Sequence, residues 1–175
     1  ILFAAPPEVD LEWSEKGIEG CWRFINRIWR INQEIRKYES QEGEEKDNEL
    51  EIILNKTIKG ITEDIENEFH FNTAIAKMME FLNFLSKLIY EKNISNETLK
   101  KAWKNFIKIL SPFAPHISEE LWEKNGEKEF LCCQNWPKYE EKKGVEEETI
   151  IIPVQINGKL RGTIKVPSDI SQEEI

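Results

Sequence analysis

His116 stands in LSPFAPHISEELW, residues 110–122, between two prolines and ahead of two glutamates, and it is one of two histidines in 175 residues. With Glu119 and Glu120 three and four positions on, it raises the question of acid–base or metal chemistry. No second histidine or cysteine lies close by in sequence to complete a ligand set, and a lone imidazole makes a poor site. The stretch reads better as architecture. Pro112 removes a backbone donor and ends one helix, while Pro115 suits the first turn of the next, where its missing N–H is not needed. Glu119 and Glu120 then lie near the positive end of that helix dipole. The thiols, Cys21 and the adjacent Cys132 and Cys133, are odd in number and show no Cys-x-x-Cys or Cys/His spacing. They argue against a disulfide framework and a zinc site, and fit reduced thiols in the cytoplasm.

The arginines are the other candidates. There are five against nineteen lysines, and three of them, Arg23, Arg27 and Arg30, recur at offsets of four and seven. On a helix these fall within an arc of roughly 60°. Asn26 and Lys37 lie near the same line, and Glu34 interrupts it. Guanidinium forks bind phosphate oxygens in two-point geometry, so the stripe could track a phosphate backbone. A solvated helix face, its arginines paired to neighbouring glutamates, has the same spacing, and spacing leaves both readings open. Lys159 and Arg161, two residues apart on an expected strand, form a second basic pair. That pair suits an edge strand protected by charge better than a binding site. A net charge of −9 repels nucleic acid at long range. Any role with RNA or DNA must therefore rest on a local basic patch.

Helical periodicity supplies the frame for these residues. Apolar residues at three- and four-residue offsets predict a first helix over 18–38, with Phe24, Ile28, Ile31 and Ile35 at its centre and Trp22, Ile25 and Trp29 widening its apolar face. The polar run ESQEGEEKDN reads as a loop. A second helix carries Leu50, Ile53, Leu54, Ile58, Ile61 and Ile65. A third is expected to start at Asn72 as N-cap and to lie in the middle of a bundle, being apolar over much of its circumference. The fourth runs from about Asn96 to Leu110, and the fifth follows Pro115. Beyond Trp122 the period fades into a connector. At Thr149 it becomes alternating, and TIIIPVQI, Asn157-Gly158 and KLRGTIKV predict a β-hairpin with a type I′ turn. Ser171 and Glu174 have capping-box spacing. The chain opens on Ile1 inside an apolar run, so it reads as a piece of something longer. No apolar run approaches membrane-spanning length and no signal peptide is visible.

FAAPPEVDLEWSEKGIEGCWRFINRIWR resembles the segment of leucyl-tRNA synthetases that leaves the catalytic domain and enters the anticodon-binding bundle. FNTAIAKMMEFLN is similar to the third bundle helix of that family, LSPFAPHISEELW to its proline-marked helix junction, and VQINGKLRG to the start of the bacterial-type C-terminal domain. The resemblance implies a mainly α fold: an exit segment over 1–14, an anticodon-binding helical bundle and connector over 15–145, and at 146–175 a β-hairpin that begins a truncated α/β C-terminal domain. It implies tRNA(Leu) as partner, docked through backbone and shape by Arg23, Arg27 and Arg30, with Lys159 and Arg161 as further candidates and no aromatic platform beside them. For the parent enzyme it implies ATP-dependent ligation of leucine to tRNA, with magnesium, in the cytoplasm and with no membrane. The HIGH-like and KMSKS-like signatures and the editing residues of that family are absent from this sequence, so no catalytic residue, metal or cofactor is expected in it. A free-standing RNA-binding bundle and a protein-interaction bundle are the alternatives.

Overall fold

The computed structural model describes residues 2–6, 8–10, 15–39, 46–67, 69–140, 149–156 and 159–167. The chain is mainly helical and divides into two compact units, 1–139 and 140–175. In the first unit α1 spans Glu15–Arg36, α2 Asp47–Asn67, α3 Phe71–Glu91, α4 Asn96–Leu110 and α5 Pro115–Lys124, followed by a short 3₁₀ turn, Leu131–Cys133. α3 packs on α1 and α2, and α4 on α2 and α5. The central place expected for α3 follows from its sequence: Ile75, Met78, Leu82, Leu85 and Ile89 line one face, Phe81 and Leu88 extend it, and all seven are buried. From α4, Trp103 and Phe106 are wholly buried and stacked with ring centroids 5.1 Å apart, and Phe106 stacks on Phe81 at 5.7 Å. Burial of this apolar surface is the main force holding the five helices together.

The helix ends show how the chain is steered. α4 is capped by Ser95, whose hydroxyl accepts the N–H of Thr98. The expected cap at Asn72 is not observed. The cap position falls two residues earlier, at His70, and Asn72 is the second residue of α3, with a buried Oδ1 that has no partner among the described residues. Phe71, the first residue of α3, packs edge-on against Phe113 with centroids 6.0 Å apart. The helix thus starts without a side-chain cap, its first residue in contact with Phe113, and the local capping propensity of Asn72 is not used. At the α4–α5 junction, α4 ends at Leu110 and Pro115 opens α5, as the two prolines require. α5 closes on Gly126 at φ +91°, the left-handed position that favours glycine, with the N–H of Glu127 bonded back to the carbonyl of Trp122.

The connector after α5 is tied to the bundle by specific bonds. Leu131 is buried, and the indole N–H of Trp136 donates to Thr62 Oγ1 on α2 at 2.8 Å. Glu119 holds the 3₁₀ turn by accepting the N–H groups of Leu131 and Cys132, both at 2.9 Å.

In the second unit β1, Thr149–Ile156, pairs antiparallel with β2, Lys159–Pro167. The register runs from Thr149 opposite Pro167 to Ile156 opposite Lys159, and it steps over Arg161 between Leu160 and Gly162. Such a step is a β-bulge, one extra residue on one strand. The turn expected at Asn157-Gly158 and the capping box at Ser171 and Glu174 lie outside the described residues.

Candidate nucleic-acid interface

α1 positions the arginine stripe. Its buried side is fixed by Ile28, Ile31, Asn32 and Ile35. Taking Ile28 as the centre, Arg27 lies roughly 100° away around the helix, Arg23 roughly 140° and Arg30 roughly 160°. That order predicts their fates. Arg27, nearest the core, is half-buried and turned onto α3: Nη1 donates to Asn83 Oδ1, while Nη2 donates to the carbonyl of Leu82 and to Ser86 Oγ, both at 3.1 Å. A guanidinium has five donors in a fixed fork, and Arg27 spends much of its fork inside the protein. Its role here is to fasten α1 to α3.

Arg23 and Arg30 are exposed, and among the described residues neither has a hydrogen-bond or ion-pair partner. The glutamate-paired alternative therefore does not describe these two. Ion pairs among the described residues use lysine, as in Lys77 with Asp64 at 2.6 Å, Lys101 with Glu51 at 2.8 Å, and Lys104 with Glu127. Lys37, Asn26 and Glu34 are also exposed on α1, and the Asn26 amide donates to the carbonyl of Trp22 at 2.8 Å. Lys159 and Arg161 belong to the second unit, Lys159 opposite Ile156 and Arg161 at the step in the ladder.

Two features were not read from the sequence. The apolar face of α1 is narrower than its periodicity suggested, and Trp22 is 67% exposed. Trp29 is partly exposed, with the ammonium of Lys124 5.7 Å from its ring centroid, a cation–π contact between α1 and α5. The arginine stripe thus has an aromatic neighbour after all. The signal was available in the helical wheel, because Trp22 and Trp29 lie roughly 120° and 100° from Ile28. The second feature is Asn32, wholly buried, whose Oδ1 accepts from Trp103 Nε1 at 2.8 Å and from Asn125 Nδ2 at 2.7 Å. It fixes α1 against α4 and the end of α5. No hydrophobic periodicity reports such a residue.

His116 is exposed in the first turn of α5. With Glu119, Glu120, Glu123, Glu127 and Glu129 it lines an acidic groove, electrostatically the reverse of a phosphate site. Among the described residues no group of three or more His, Cys, Asp or Glu side chains is placed to hold a metal, and no helix is long and apolar enough to cross a membrane.

Comparison with known proteins shows the family to which the chain belongs. Residues 47–175 match the family model described as the anticodon-binding domain of tRNA ligase. The chain is 43% identical over 183 residues to a leucine–tRNA ligase of Fusobacterium nucleatum, covering 98% of this chain and 21% of that protein. It is 44% identical over 184 residues to a leucine–tRNA ligase of Fervidobacterium nodosum, covering 100% of this chain and 22% of that one. Among solved structures it is similar to the Agrobacterium radiobacter LeuRS in its ternary complex with tRNA and LeuAMS, with a TM-score of 0.74 and 32% identity over 98% of this chain and 23% of that one. The chain spans about a fifth of the length of the curated relatives it matches. With five packed helices and a family match over most of its length, this chain belongs to the anticodon-binding domain family of tRNA ligases.

Proposed function

We propose that this chain is the tRNA-docking part of a leucine–tRNA ligase, a class I aminoacyl-tRNA synthetase of the cytoplasm. The observation that carries the reading is the exposure of Arg23 and Arg30 on α1, without an anionic partner among the described residues, in a chain of net charge −9. Two free guanidiniums on one helix face in an otherwise acidic chain are suited to phosphate oxygens. The similarity to leucine–tRNA ligases over 98–100% of the chain, and to a LeuRS whose solved complex contains tRNA, supports tRNA(Leu) as that partner. Phosphate contacts position an RNA without reading its bases, so the docking is of backbone and shape.

Ligation of leucine to tRNA, with ATP and magnesium, is the work of the parent enzyme, and no residue of this chain is assigned to it. Residues 1–14 are the exit from the catalytic domain, 15–145 the bundle and connector, and 146–175 the hairpin opening the C-terminal domain, where Lys159 and Arg161 offer a secondary contact. The test is filter binding of the 175-residue chain to a leucine tRNA and to an unrelated tRNA across a salt series. Binding that weakens steeply with salt and favours the leucine tRNA is expected; absence of tRNA binding at low salt overturns the reading. The pure chain is expected to show no leucine-dependent pyrophosphate exchange, and turnover in that assay would contradict the division of labour.

A further inference from the structure

Trp22 is the most exposed tryptophan among the described residues, and its ring has no aromatic or cationic partner among them. Leaving an indole in water forgoes the burial that stabilises a fold, so folding of the bundle does not explain its position. Its surroundings suggest what does. Arg23 is the next residue, Asn26 sits one turn on with its amide fixed to the carbonyl of Trp22, and Arg30 follows two turns on. Arg23 lies roughly 100° around the helix from Trp22 at nearly the same height, an arc of about 9–10 Å at the side-chain radius, whereas Arg30 lies roughly 80° around and about 12 Å further along the axis. A single nucleotide bridges the first of these distances between its base and its phosphate. A face that offers a flat aromatic surface with one unpartnered guanidinium, Arg23, a nucleotide's width away and a second, Arg30, two helical turns along is complementary to a strand that is aromatic at a base and anionic along its backbone.

We propose that Trp22 is a stacking platform for an unpaired base of the bound RNA, whose adjoining phosphate is held by Arg23, with Arg30 taking a phosphate further along the same strand. This rests on the tRNA-docking reading and deepens it, because it adds a contact to a base face where only backbone contacts were expected. Stacking on an aromatic side chain tolerates any base, since each presents a π-face, so the contact selects unpaired structure rather than sequence. Trp29 is a poorer platform because Lys124 already approaches its ring.

The test compares Trp22→Ala and Trp22→Phe with the unaltered chain against two RNAs, a leucine tRNA and a blunt RNA duplex without unpaired bases. Trp22→Ala is expected to lower tRNA affinity about ten-fold with an unchanged salt slope, and Trp22→Phe to recover most of the loss, because a phenyl ring still stacks. Duplex binding should be equal in all three. Wild-type tRNA affinity in Trp22→Ala overturns the proposal and leaves tRNA docking standing, as does an equal loss on tRNA and duplex. An unaltered chain that sediments as a dimer while Trp22→Ala is monomeric overturns it in favour of a second copy on this face. If the unaltered chain binds no tRNA, both readings fall, a result separate from the others.

Discussion

At the scale of single residues, the arginines show how position on one helix divides residues of the same type. Spacing placed Arg23, Arg27 and Arg30 in one arc, and that arc is real. Depth separates them. Arg27 sits at the core-facing edge and is captured by Asn83, Ser86 and a backbone carbonyl of α3, while Arg23 and Arg30 stay in water. Two different variants should therefore behave oppositely. Arg27→Ala removes three hydrogen bonds from a charged donor, two of them part-buried, and a loss of about 1.5–3 kcal/mol in urea unfolding is expected. Arg23→Gln with Arg30→Gln should leave the urea midpoint within about 0.5 kcal/mol of its original stability. The double variant should instead flatten the slope of log affinity against log salt for tRNA by roughly 1.5, two phosphate contacts' share. An unchanged slope would return these two residues to an ordinary charged face. The sequence showed the stripe because helical spacing is a local property. It hid the division because the groups that capture Arg27 lie more than fifty residues away.

At the scale of elements, helix existence and type were legible from apolar periodicity, and even the proline junction was readable residue by residue. The polar ties between helices were not. Asp47, in the first turn of α2, accepts the N–H of Ser95 at 2.8 Å, the Ser95 hydroxyl, and the Thr98 hydroxyl at 2.7 Å, so one carboxylate serves the starts of α2 and α4 together. Partial burial works to raise its pKa, but these bonds outweigh it and hold the carboxyl below its ordinary value. Glu119 is likewise lowered, first by the N–H of Leu131, against a smaller opposing effect of desolvation, and then by the N–H of Cys132. Both groups have folded pKa values below the unfolded ones. Their contribution is therefore complete above the unfolded carboxylate range, about 3.9–4.3, and is lost as pH falls through the lower folded values. Asp47→Asn is expected to cost about 1–3 kcal/mol near neutral pH. The gap between it and the wild type should narrow as urea midpoints are taken from pH 5 to pH 3; a gap independent of pH would remove Asp47 from this role. Asn32 is a second tie of this kind. Asn32→Leu strands the buried indole N–H of Trp103, and a loss of about 1–3 kcal/mol is expected in the same measurement.

At the scale of the whole molecule, the two units differ in what can hold them. Residues 1–139 enclose a core of stacked aromatics and aliphatic side chains drawn from all five helices and from Leu131 in the connector. Among the described residues of the second unit, 140–175, the sheet has two strands, β1 and β2, and its ladder is broken once at Arg161. The alternating pattern from Thr149 onward pointed to strands, since a period of two is as local a signal as the helical one. What such a pattern does not carry is the covering layer an apolar sheet face needs, because that comes from elsewhere in a fold. A sheet of two strands is marginal in water without such cover. Opening free energies should therefore be unequal along the chain, highest where side chains are wholly buried and lowest where backbone bonds are few. In native-state hydrogen exchange of the 175-residue chain, the amides of Leu82, Leu85, Phe106 and Ile107 are expected to exchange only by opening of the whole bundle. Those of Ile152, Val154 and Ile164 should exchange faster, with a much weaker dependence on added urea, as local opening requires. Equal protection in both sets, with equal urea dependence, would mean that the strands share the stability of the bundle and that a two-stranded sheet here is held by more than its own ladder.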